Sequence, residues 1–88
     1  MIEEELEAMG YSHLRNIRGQ LCGLYKFAFT AGLIVGLDDC DYARRYCYEH
    51  NSDAIKALAD WDGLDHPGGP WIKVKGHGID QVNPKLDL

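Results

Sequence analysis

The sequence predicts a mainly α fold, with a short N-terminal helix, an antiparallel helical hairpin and an extended C-terminal tail holding at most one short strand. Three observations carry this expectation. The apolar residues Leu14, Ile17, Leu21, Leu24, Ala28 and Ala31 recur at alternating steps of three and four, the spacing of a helical seam. Four glutamates crowd residues 3–7 ahead of Gly10. From Gly68 onward the chain is punctuated by Gly68, Gly69 and Pro70, which stop a helix through backbone freedom and a missing amide hydrogen.

Taken in order, residues 1–10 are expected to form the short helix. Glu3, Glu4, Glu5 and Glu7 complement the positive end of its dipole, and Gly10 is placed to end it. Ser12 is a good N-cap for a long helix over 12–37. Small residues recur there every four positions, at Gly19 and Gly23, Ala28 and Gly32, then Gly32 and Gly36. Each interior glycine costs about 1 kcal/mol relative to alanine, so close helix approach is the expected compensation. Leu14, Ile17, Gly19, Leu21, Gly23, Leu24, Ala28 and Ala31 are accordingly the expected interface of a homo-oligomer. The turn Asp38-Asp39-Cys40-Asp41 leads into the second arm of the hairpin, 40–61, which Asn51-Ser52-Asp53 could re-cap midway. Residues 62–88 form the tail, in which Trp71-Ile72-Lys73-Val74-Lys75 alternates as a strand would. Trp71 is expected to fold back and seal the core, leaving Lys73 and Lys75 in water. Residues 1–88 make a single domain, near the lower size limit for a self-sufficient core.

Composition removes several function classes. Nine Lys and Arg against 14 Asp and Glu give a net charge of -5, which argues against a general binder of nucleic-acid backbone. The longest apolar or small run, Phe27 to Leu37, spans only about 16 Å as helix, half of a bilayer core, so no membrane span is expected. The acidic start MIEEELEAMG lacks the basic opening of a signal peptide, and three cysteines are an odd number, so a cytoplasmic location is expected.

Chemistry-bearing motifs are sparse. Cys47 and His50 stand three apart with Cys40 nearby, but a zinc site needs four close ligands, and only His66 or His77 of the tail could add to these. Neither a metal nor any other cofactor is expected. The chain has no nucleophile elbow, zincin helix, P-loop or Rossmann glycine pattern, and the expectation is a protein that is not an enzyme. The densest functional signal is Tyr42, Arg44, Arg45, Tyr46 and Tyr48, because phenols and guanidiniums stack on planar groups, fork onto anions and are enriched at binding hot spots. Lys26, Arg15 and Tyr11 are candidates to join this binding set. The competing reading has Tyr42 and Tyr46 facing the core while Arg44, Arg45 and Tyr48 are solvated.

The stretch HPGGPWIKVKGHGIDQVNP, with WIKVKG followed by G-I-D and N-P, resembles the C-terminal ends of small accessory proteins encoded by tailed phages and prophages of Gram-negative bacteria. It covers roughly Pro67 to Pro84, under a quarter of the chain, and transfers no functional residue. The resemblance implies a host-modifying or anti-defence product that binds one bacterial host protein and inhibits or modulates it. Two alternatives stand beside it: an oligomeric sponge for a small nucleotide-like signalling ligand, and a structural or regulatory phage component.

Overall fold

The computed structural model describes residues 2–38, 41–76 and 78–83. Its centre is one antiparallel sheet of six strands in sequence order: β1 Ser12–Ile17, β2 Gln20–Lys26, β3 Ala31–Val35, β4 Arg44–Tyr48, β5 Trp71–Gly76 and β6 Ile79–Val82. A short helix, α1 Ile2–Ala8, precedes the sheet, and α2 Asn51–Asp60 lies between β4 and β5.

This corrects the mainly α expectation. The helical hairpin over 12–37 and 40–61 is absent; its first arm is three strands, and in its second only Asn51–Asp60 is helical. The tail carries two strands where at most one was expected. The reason lies in the seam itself. A step of three along a strand crosses to the opposite face, because side chains alternate. Ile17 and Leu24 therefore enter the core beneath α2, whereas Leu14 and Leu21 pack on the other side with α1. With both faces of the central strands covered, an apolar residue is wanted at nearly every position, and the period of two that marks a half-exposed strand is erased. The expected oligomer seam is thus divided: Ile17, Leu24 and Ala31 are buried in the chain's own core, and Ala28 sits in a loop.

The glycines follow the same logic. Arg18 and Gly19, with φ of 49° and 82°, form the two-residue turn between β1 and β2, where positive φ at both positions matches the twist of a hairpin. The Asn16 side-chain oxygen accepts the Gly19 amide at 3.1 Å. Gly32, in β3, leaves room for the Phe27 ring, which would stand only 2.5 Å from a Cβ built there.

The larger core joins Cys22 and Leu24 of β2, Leu33 and Val35 of β3, Tyr46 and Tyr48 of β4 and Val74 of β5 to Ala54, Ala57 and Leu58 of α2, with Trp61 and Trp71 closing it. On the opposite face Leu6 of α1 packs on Ile34 and Leu37, flanked by Tyr11, Tyr25, Phe27 and Tyr42. Trp71 is 4% exposed. It seals a core, and that core is a sheet with one helix on it. Among the described residues no helix is long and apolar enough to cross a membrane.

Candidate functional site

Successive residues of a strand face opposite ways, so the Tyr/Arg cluster is divided by the sheet. Tyr46 and Tyr48 point toward α2 and are buried. The Tyr48 hydroxyl donates to the Gly68 carbonyl at 2.7 Å, and the Tyr46 hydroxyl shares a 2.8 Å hydrogen bond with His66 Nδ1. Burial raises the pKa of both phenols above the ordinary tyrosine value. These two hydroxyls tie the loop after α2 to the sheet. Arg44 lies on the same side, its guanidinium 5.7 Å from the Tyr46 ring centroid and 5.8 Å from that of Trp61.

The remaining candidates scatter. Arg15 Nη1 donates to the carbonyls of Leu58, Ala59 and Trp61 at 2.6, 3.0 and 3.3 Å, and Arg18 Nε donates to the Asp62 carbonyl at 2.8 Å. Arg15 finishes the C-terminal end of α2, whose last carbonyls have no partner within the helix, and Arg18 holds the chain just beyond it. Tyr11 packs against Tyr25 with centroids 5.1 Å apart and the rings tilted by 59°, and burial raises its pKa, with further contributions from Tyr42, Tyr25 and Asp41. Tyr42 packs in the same cluster under α1, and Lys26 is exposed at the end of β2. Of the residues considered as metal ligands, Cys40 and His77 lie outside the described residues. Cys47 is buried in β4, His50 is exposed ahead of α2, and His66 is engaged by Tyr46. No group of three or more His, Cys, Asp or Glu that could hold a metal occurs among the described residues.

Arg45 stands apart from this structural work. It faces away from α2, where α1 covers the β1–β3 half of the sheet and no described element covers the β4–β6 half. Its guanidinium lies 4.8 Å from the centroid of the Phe27 ring, and its buried Nε, like that of Arg44, has no hydrogen-bond partner. Around it is a shallow basin of about 550 Å³, with Cys47 and Ile72 among its floor residues, Phe27, Phe29 and Thr30 along one side and Lys73 on the other. The Phe27 amide donates to the Thr30 carbonyl at 2.8 Å, and this tight turn leaves Phe29 91% exposed at its tip. Register places Lys75 directly opposite Arg45, and Lys73 opposite Cys47. The arrangement can hold an anion by its cations and an apolar or planar group by its two phenylalanines.

The sequence reading singled out Arg45 and missed Phe27, Phe29, Ile72, Lys73 and Lys75 as partners. The available signals were the alternation of Lys73 and Lys75 in the tail strand and two phenylalanines flanking one small residue in Phe27-Ala28-Phe29. No protein-family model, curated protein or solved structure matches this chain.

Proposed function

We propose that this is a non-catalytic binding protein that engages a partner protein through the open β4–β6 half of its sheet, with Phe29 and Arg45 as anchors. The observation that carries the reading is a large aromatic side chain, Phe29, 91% exposed at the rim of an open basin that Arg45 and Lys73 also line. An exposed aromatic side chain beside a half-buried arginine on an uncovered face is what binding hot spots are made of. Together with the phage-like C-terminal stretch, this supports a bacterial host protein as the partner and the host cytoplasm as the place of action, with inhibition or modulation as the outcome.

The test is to capture the partner from host lysate, purify it and measure its affinity for variants of this chain. Phe29→Ala and Arg45→Ala are expected to weaken the complex by about 2 kcal/mol each, while Lys56→Ala, on the exposed side of α2, retains it. Full retention by both open-face variants would remove this surface as the site. A nucleotide-like ligand is the second reading, favoured by the basin's pairing of cations with ring faces. Calorimetry with free nucleotides separates it, since a protein complex is indifferent to them.

A further inference from the structure

Resting on that reading of the open face, we infer that the segment recognised is a short acidic stretch of the partner carrying an aromatic or branched apolar side chain beside its carboxylates. The first support is the distribution of charge. Arg45 and Lys75 are direct cross-strand partners, and Lys73 stands two residues along the same strand on the same face. Like charges directly opposite one another destabilise a sheet. The chain has 14 acidic residues, yet among the described residues no ion pair is formed by Arg45, Lys73 or Lys75, although Asp80 stands opposite Lys75 in the register. A carboxylate seated between β4 and β5 would relieve this repulsion and accept from the outer guanidinium nitrogens of Arg45 and from Lys73.

The second support is what lies between and beside the cations. Ile72 and the buried Cys47 make an apolar floor, and the Phe27 and Phe29 rings make a wall, so an apolar side chain next to the carboxylate is buried as the anion pairs. The third support limits the length of the anion. The cations lie on two neighbouring strands, a footprint of about 5 Å between strands, and acidic groups stand at its edges: Asp80 lies beside Lys75, and Glu49 follows β4. A long polyanion such as single-stranded nucleic acid would be repelled at both margins, whereas one or two carboxylates are not.

Fluorescence anisotropy on the full chain tests this with three probes: a short labelled peptide alternating Glu with Leu and Phe, the same peptide with Gln in place of Glu, and a labelled oligothymidylate. The acidic peptide is expected to bind, and the Gln peptide to bind at least about tenfold more weakly, as loss of a charge-assisted contact implies. Lys73→Ala and Phe29→Ala should each weaken the acidic peptide by about tenfold, and Lys56→Ala should leave it unchanged. Because Phe29 is a solvent-exposed loop tip, its variant keeps the test valid even if Arg45→Ala perturbs folding. Equal binding of the acidic and Gln peptides, no binding up to millimolar peptide, or tighter binding of the oligothymidylate would each overturn the inference. If a purified partner is still released by the Phe29 and Arg45 variants while the peptides fail, the open-face reading survives and the acidic-segment inference alone is lost.

Discussion

Arg15, on the first strand, donates its guanidinium to the Leu58 carbonyl at 2.6 Å, so the second helix is finished by a residue 43 positions earlier in the chain. The same group reaches the Ala59 and Trp61 carbonyls, and a cation at a helix C-terminus also meets the negative end of its dipole. Arg15→Ala should therefore lower stability by about 1–2 kcal/mol, read from chemical denaturation. Arg15→Lys should recover only part of this, because an ammonium is a strongly hydrated point charge on a flexible stem. A variant as stable as the parent would show that water serves these carbonyls equally well.

Trp71 closes the core where β5 meets the loop after α2, in edge-to-face contact with Tyr46 at 5.3 Å between centroids. Its truncation to alanine should cost about 3–5 kcal/mol, as aromatic deletions in cores do. Near-ultraviolet circular dichroism should lose tertiary signal along with the melting temperature. An unchanged melting curve would place Trp71 outside the core.

Gly32 and Phe27 form a coupled pair beneath Arg45. A methyl group at Gly32 would stand 2.5 Å from the Phe27 ring, so Gly32→Ala must displace that ring at a cost of about 1–3 kcal/mol. Combining it with Phe27→Ala should remove that clash. The double-mutant cycle should accordingly show coupling above about 0.5 kcal/mol, and strict additivity would mean that the ring does not rest on this glycine.

The phenols set a limit at alkaline pH. Burial raises the pKa of Tyr46, Tyr48 and Tyr11 above the ordinary value of 10.0. Above that value the unfolded chain releases these protons while the folded chain retains them, so stability is fully present below pH 10.0 and falls as pH rises beyond it. Unfolding should coincide with phenolate absorbance. Tyr48→Phe, which loses the bond to the Gly68 carbonyl, should lower stability at neutral pH by about 1 kcal/mol and flatten the alkaline decline.

The two adjacent arginines should separate structure from binding. Arg44 lies over the Tyr46 and Trp61 rings on the helix-covered side, and Arg45 lies over Phe27 on the open side. Arg44→Ala should lower stability by about 1 kcal/mol with partner affinity retained, whereas Arg45→Ala should act chiefly on affinity. Thermal melts beside a binding isotherm check both, and the reverse pattern would exchange their roles.

Local chemistry was legible wherever a few neighbouring residues decide the conformation. The acidic stretch ahead of Gly10 does form a helix, Asn51-Ser52-Asp53 do open one, and the alternation after Pro70 is a strand. The -5 charge follows from composition alone, and the absence of a long apolar run from the order of residues along the chain. The residues from Leu14 to Ala31 were another matter. Their spacing fits a helical seam and equally fits strands buried on both faces, and the Arg18-Gly19 turn that distinguishes the two reads as an ordinary small-residue position in a helix.

Only the tertiary structure decided which side of the sheet each arginine faces. Arg44 and Arg45 are indistinguishable as neighbours in sequence, and pairing of β4 with β3 and β5 is what sends one under α2 and the other into the open basin. Likewise, nothing local marks Arg15 as the cap of a helix that begins at Asn51. The sequence by itself determined the charge, the breakers and the short elements, because those depend on backbone freedom and on neighbours in the chain. The sheet register, the covered face and the open face depend on contacts between residues far apart in sequence, and those arise only when the strands pair.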